Sequence, residues 1–339
     1  MYDLHLARVG TRSKTRPFRL RSSDGPERSG RRGPTGRNRM STLTAAGDPA
    51  DETAEAGLDR VIDLLADRRL AFLTGAGVST DSGIPDYRGQ GAPVRTPMTV
   101  DQFLSNDDAA RKRYWAGSHL GWKRFDGARP NAGHRAIALL EEAGIADGVI
   151  TQNVDGLHVR AGSRRVVDLH GSMDRVSCLS CGQSYARSSI AERMTALNPW
   201  LDTETDVTIN PDGDAEVGRV DEIVVPVCTV CGGMLKPDVV FFGEFIPTEK
   251  YAEAAALVRG ADALVIAGSS LVVNSGIRLL ELARRKRLPI VVINRGVTKA
   301  DGRADVKLDA GASETLSGIA ARLVPAAFTS VVSQEATDA

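Results

Sequence analysis

Apolar and polar positions along this chain fall into a repeating order. A short unbroken apolar run comes first, then a break at glycine with hydroxyl, amide or carboxylate residues, then a segment with apolar residues three and four apart. The runs lie at 70–73, 148–151, 166–169, 263–267 and 289–293, and a short strand is expected at 304–308. Runs this short, with no polar alternation, predict strands buried on both faces. Helical spacing marks 58–65, roughly 101–125, 251–258 and 314–323. A further helix is opened by Pro130 and Asn131 and stopped by Gly144, with His134, Ile137, Leu140 and Ala143 on one face. At 235–244 a β-prone Val-Val-Phe-Phe run ends at Gly243 and is expected to rejoin the main body. The alternation predicts an α/β fold: a doubly wound, parallel, Rossmann-like sheet with helices on both faces. In such sheets ligands sit at the carboxyl ends of the strands.

What stands at those strand ends is chemistry-bearing. After 70–73 come Gly75, Ala76 and Gly77, which let backbone N–H groups approach an anion, then Ser79, Thr80, Asp81 and Ser82, which can cap a helix. The full GxGxxG spacing is absent, because Thr80 stands at the third glycine position, and an ordinary strand-to-helix turn remains open. The second run ends in Gln152, Asn153, Val154, Asp155 and Gly156, either a ligand-facing edge or an Asx-type turn. The third ends at His170, the side-chain type suited to take a proton near neutral pH, though a structural histidine fits too. Gly268, Ser269 and Ser270 repeat the first motif, and Asn294, Arg295 and Gly296 follow the next run. The aromatics Tyr114, Trp115 and Trp122 read as packing residues.

All four cysteines fall in two CxxC pairs, Cys178/Cys181 and Cys228/Cys231. Two such knuckles supply four soft ligands at tetrahedral geometry, which fits one Zn2+, and an all-cysteine set leaves no position open for water, so the ion is structural. A redox dithiol needs only one pair. The knuckles predict a small zinc-ribbon module inserted at about 174–234, with an acidic surface excursion at 202–222.

The chain has 339 residues, 42% hydrophobic and 25% charged, and its formal charge balances to zero. That composition suits a globular protein and argues against a global pull on nucleic acid or anionic membrane. No apolar run approaches the ~18 residues of a membrane span. Residues 1–55 differ in composition, with Arg, Ser and Gly crowding the first 40, and disorder is expected there. Three readings compete: a transit peptide, which would imply a mitochondrial protein, a solvated basic tail, or an untranslated stretch before a true start at Met40. Residues 326–339 read as a free tail, and 89–97 as a Gly/Pro-rich loop long enough to close over a ligand.

The stretches GAGVSTDSGIPDYR, TQNVDGLH, LHGS, the two CxxC knuckles, KPDVVFFGE, GSSL and INRG stand in one order across roughly 57–325. Together they resemble the sirtuin family of NAD-dependent protein-lysine deacylases. GIPDYR with RYW, GW and PNxxH between the first two motifs is similar to the class II, lipoamidase-like subgroup, which includes bacterial members. The resemblance implies roles. Gly75, Ala76 and Gly77 would cradle the NAD pyrophosphate; Asp86, Tyr87 and Arg88 would sit by the nicotinamide ribose. Gln152 and Asn153 would bind ribose, beside Val154, with Asn153 also catalytic, and Asp155 would hold the carboxamide. Gly268, Ser269, Ser270, Asn294, Arg295, Gly296 and Ala312 would line the adenosine side. His170 would be the base, while Val240, Phe242 and Gly243 would border the acyl-lysine, whose peptide adds as a strand.

The implied products are nicotinamide, O-acyl-ADP-ribose and free lysine, with acetyl the expected acyl group and a cytoplasmic location. Protein mono-ADP-ribosylation or lipoamidase-type deacylation could use the same site. A hydride-transferring dehydrogenase would need an acidic residue at the end of a second strand about 20 residues past the glycine turn, where GQGAP stands instead. A zinc-ribbon binding module is the non-enzyme reading. The Tyr and Arg pair, spaced YxxR, of desuccinylating relatives is absent from 89–113, so acidic acyl chains are not expected.

Overall fold

The computed structural model describes residues 54–86, 97–203 and 219–329. Residues 1–53 of the expected N-terminal extension, Met40 among them, Tyr87, Arg88, most of the 89–97 loop, most of the acidic excursion and the last ten residues lie outside the described residues.

Six parallel strands form the main sheet: β1 (Leu70–Thr74), β2 (Ala146–Thr151), β3 (Val166–Asp168) and, later in the chain, strands Ala263–Ala267, Ile290–Ile293 and Val306–Leu308. Between the two groups the chain builds a second, three-stranded antiparallel sheet from β4 (Gly171–Cys178), β5 (Ser184–Ala186) and β6 (Leu235–Val239). The later strands of the main sheet are therefore β7, β8 and β9. The main order is β3-β2-β1-β7-β8-β9, so the winding reverses between β1 and β7 and a crevice opens at their carboxyl ends.

Helices cover both faces, and strand period assigns each side chain its layer. From β1, Leu70 and Phe72 point into one core with α1 (Ala54–Leu65), α4 (Ala132–Glu142) and α9 (Ala312–Leu323). Ala71 and Leu73 point into the other, with α7 (Thr248–Gly260) and α8 (Asn274–Arg285). Every residue of β1 and β7 is buried, which is why these strands read as continuous apolar runs. The remaining helices are α2 (Val100–Leu104), α3 (Ala109–Gly127), α5 (Leu157–Arg160) and α6 (Arg187–Leu197). A third core joins Phe103, Tyr114 and Trp115 of α2 and α3 to Val176, Ile190, Met194 and Leu235 around the small sheet. The small unit thus draws on residues well before 174. No helix among the described residues is long and apolar enough to cross a membrane.

Four expectations need correction. The helix expected at 101–125 is broken: Ser105 bonds the Gln102 and Asp107 carbonyls, and Asp107 Oδ1 takes the Ala109 N–H, so local side chains outcompete the helix ladder. The strand expected in the Val-Val-Phe-Phe run lies earlier, in β6, and pairs with β4 of the small sheet rather than the main one. No helix starts at Ser79–Ser82; two single 3-10 turns stand there, Ala76–Val78 and Thr80–Ser82, with no side-chain cap. Residues 325–329 are helical, and Ala327 and Phe328 pack partly buried on the sheet core, so ordered chain runs beyond 325.

Candidate active site

The reversal between β1 and β7 is closed by three glycines. Gly75 N–H bonds Ala267 O at 3.1 Å and Gly77 N–H bonds Gly268 O at 2.9 Å. A Cβ on Gly75 would lie 2.8 Å from Gly268 O, and one on Gly77 2.9 Å from Gly268 Cα. Only bare backbone allows the two strand ends to interlock this closely.

A cavity of about 1610 Å³ runs along this edge. Gly75, Ala76, Gly77 and Asp86 line one stretch of it; Gln152, Asn153, Val154, Asp155 and His170 line the next. Gly268, Ser269, Ser270, Asn294, Arg295, Gly296 and Ala312 line the far end, and Val240, Phe242 and Gly243 the opposite wall. Every described residue singled out from the sequence for NAD, substrate or the base therefore borders one space; Tyr87 and Arg88 are not described.

The floor beside the glycine turn is a closed polar network. Ser79 donates its hydroxyl proton to Asp155 Oδ2 at 2.7 Å and accepts from Asn153 Nδ2 at 3.0 Å. Asn153 also donates to Gly75 O, tying β2 to the turn. The Asn131 N–H donates to His134 Nδ1, so the proton of His134 sits on Nε2, which faces Ser79 Oγ at 3.5 Å. Burial holds His134 neutral, with its pKa lowered to about 3. Burial raises the Asp155 carboxyl above its usual range, against the Leu157 N–H and Ser79 hydroxyl that stabilise its anion. His158 lies 4.8 Å from His134, ring to ring, and bonds Thr74 Oγ1 through Nε2 at 2.9 Å. Sequence reading placed His134 on an apolar helix face but missed Ser79 as a partner of Asp155 and the meeting of His134 with His158; PNxxH and GLH carried both histidines, but nothing local showed that they meet.

His170 follows β3 and faces the cavity. Its Nδ1 lies 3.0 Å from Gln152 O. A carbonyl only accepts, so Nδ1 carries the proton and Nε2 presents a lone pair. That lone pair takes a hydroxyl proton from Ser275 at 3.0 Å. Burial lowers the His170 pKa, and the Gln152 carbonyl raises it by less. The ring is neutral at pH 7 and competent as a base. Ser269 donates to Gln152 Oε1 at 2.6 Å, bracing the same segment from β7.

The facing wall is a tight turn. Glu244 N–H bonds Phe241 O at 3.0 Å, and Gly243 at φ +83° occupies the position that requires a left-handed residue. Val100 N–H donates to Phe242 O, and the Phe242 side chain is half exposed. Beneath the turn, buried Lys236 reaches Glu244 Oε2 at 3.0 Å and Val239 O at 2.7 Å, under the Phe241 ring.

At the other end of the small sheet the four cysteine Sγ atoms lie within 4.8 Å of one another. Cys178 to Cys231 is 3.5 Å and Cys181 to Cys228 is 3.7 Å. A tetrahedron of 2.3 Å Zn–S bonds has edges of about 3.8 Å, so this donor set fits zinc in both chemistry and size.

Residues 75–275 match the profile of the Sir2 family. NAD-dependent protein deacetylase 1 of Mycobacterium avium (strain 104) is 50% identical over 269 residues, spanning 78% of this chain and 95% of the relative. The chain belongs to the Sir2 family. A second sirtuin relative, NAD-dependent protein deacetylase 1 of Streptomyces coelicolor, is 48% identical over 267 residues, 78% of this chain and 89% of its own. Among solved sirtuins, a structure addressing the mechanism and regulation of Sir2 enzymes superposes with TM-score 0.63 at 34% identity, covering 79% of this chain and 98% of that one. A Sir2 structure with a p53 peptide and NAD+ gives TM-score 0.62 at 32% identity, covering 76% and 95%.

Proposed function

We propose that this sirtuin removes acetyl groups from protein lysines at the expense of NAD. The observation that carries the reading is His170: a half-buried imidazole on the cavity lining, its tautomer set by Gln152 O so that Nε2 presents a lone pair. The residues present fit a dinucleotide. The interlocked glycine turn and the Arg295 cation suit phosphates, the amides of Gln152 and Asn153 suit ribose, and Asp155 offers a carboxylate to a carboxamide. NAD supplies a nicotinamide leaving group and ribose hydroxyls.

The chain's own residues do the rest. Ser79 and Asn153 orient Asp155. Phe241, Phe242, Ile246, Val272 and Val273 give the cavity an apolar part of its lining, which suits an uncharged acyl chain and strips water from the acyl-lysine. The peptide adds as a strand beside Gly243 and Glu244. His170 is the base for a ribose hydroxyl, its Nε2 lone pair the final acceptor of a proton. The four cysteines would hold one zinc ion, which keeps the small sheet closed and takes no part in the chemistry.

The test is a panel of acetyl-, lipoyl- and succinyl-lysine peptides incubated with NAD, reading nicotinamide and peptide mass. Nicotinamide release that depends on acetyl peptide, with loss of the acetyl mass, is the expected result. A faster lipoyl peptide would place the chain with the lipoamidase-like subgroup. NADH formation, or ADP-ribose left covalently on a partner protein without deacylation, would overturn the reading.

A further inference from the structure

Ser275 stands in the first turn of α8, buried at 6% exposure, and borders the cavity. Its hydroxyl lies 3.0 Å from His170 Nε2, across 105 residues of sequence. Because Nδ1 must hold the ring proton against Gln152 O, the Ser275 proton is the one in this contact. The lone pair on which the proposed reaction depends is therefore already engaged. A ribose hydroxyl reaching His170 directly would have to displace a buried side chain in the first turn of α8. Reaching Ser275 Oγ instead needs no displacement, since that oxygen donates its one proton to His170 and keeps two lone pairs of its own.

We propose that Ser275 is a proton relay between the ribose hydroxyl and His170, an assignment that rests on the deacetylase reading above. Ser275 Oγ accepts the ribose proton while its own proton passes to His170 Nε2, giving an imidazolium and regenerating the serine hydroxyl. The electron pair of the broken ribose O–H bond stays on the ribose oxygen, which is the nucleophile toward the acyl carbon. Charge balances: one proton leaves the ribose and one arrives on the ring. The Gln152 carbonyl, bonded to Nδ1–H, is placed to stabilise the cation so formed. Two fixed contacts also hold the ring in plane, one at each nitrogen.

The experiment uses Ser275→Ala and Ser275→Thr in the full chain. In the ligand-free protein the 15N resonance of His170 Nε2 should move in Ser275→Ala toward the value of an unbonded, unprotonated nitrogen, and Ser275→Thr should restore it. Deacetylation should fall about tenfold further than nicotinamide exchange in the alanine variant, because exchange precedes the base-assisted step. Wild-type deacetylation should give a curved solvent proton inventory, two protons in flight, and the alanine variant a straight one. Alanine deacetylating at or above the wild-type rate, or an unmoved Nε2 resonance, overturns the relay. Absence of nicotinamide release from the wild type overturns the deacetylase reading, and the relay with it.

Discussion

Replacing Lys236 by methionine tests how the small sheet shapes the peptide side of the cleft. Lys236 Nζ is bonded to Glu244 and to Val239 O, and its side chain is 10% exposed against 31% for Glu244. Breaking a fully buried pair costs about 3–5 kcal/mol, because the surviving charge stays desolvated. Water reaches nearly a third of Glu244, and Glu244 keeps its bond from the Phe241 N–H, so the expected loss is about 2 kcal/mol. For a domain this size that lowers Tm by roughly 4–8 °C. The turn at Phe241–Glu244 also loses its strut, so the KM for acetyl-lysine peptide should rise about tenfold, equivalent to ~1.4 kcal/mol of turn ordering now supplied by the peptide. The KM for NAD should stay within about twofold, because no bond from Lys236 reaches the glycine-turn side. Lys236→Arg should retain most of both. Adding Glu244→Gln to the methionine variant should recover part of the stability by removing the stranded carboxylate. Scanning calorimetry and initial rates at varied peptide and NAD decide it. Wild-type melting, or peptide and NAD KM rising together, would refute the reasoning.

Other outcomes follow from the same geometry. His170→Ala should abolish deacetylation while melting as the wild type does, and full activity in that variant would remove the base from the account. Burial lowers the His170 pKa, so kcat/KM should hold as pH drops to 6.5 and fall only below it, where the ring protonates. His134 contributes stability that is present above pH 6.5 and lost as pH falls toward 3, since between those values the unfolded chain binds a proton that the folded one, with pKa about 3, refuses. The ceiling is about 4–5 kcal/mol, and denaturant melts of His134→Gln from pH 7 to 4 should show a shallower decline than wild type, Asp168, raised to about 6 by burial, titrating in both proteins. Gly268→Ala should unfold the strand-end interlock or abolish NAD binding by calorimetry, because its Cβ would stand 2.3 Å from Val78 N and 2.6 Å from Gly77 C; Gly83→Ala, also at positive φ but with open space around it, should cost only about 1 kcal/mol. Chelation or Cys228→Ser should lower melting and activity together and remove one zinc per chain by elemental analysis, whereas a metal-free protein with normal melting and turnover would contradict a structural ion.

Much of the fold was legible in the sequence because it is written in local terms. The apolar runs that became β1, β2, β7 and β8 need no partner to be read as strands buried on both faces. The CxxC spacing brings the two thiols of each pair together whatever surrounds them, and glycines at strand ends announce a close backbone approach before the other backbone is known. What the sequence did not contain is which element each segment would meet. The Val-Val-Phe-Phe run is β-prone in any context, yet β6 ended before its last three residues and joined the small sheet, because β4 offered it a partner and Lys236 and Glu244 closed the turn beyond. Ser79, His134 and Asp155 become one network only when β1, α4 and the end of β2 pack together. His170 was visible as a candidate base, but its tautomer rests on a carbonyl 18 residues away and its engaged lone pair on a serine 105 residues away. Hydrogen-bond partners are chosen by tertiary packing, and periodicity, which records only the burial of one segment at a time, carries no trace of them.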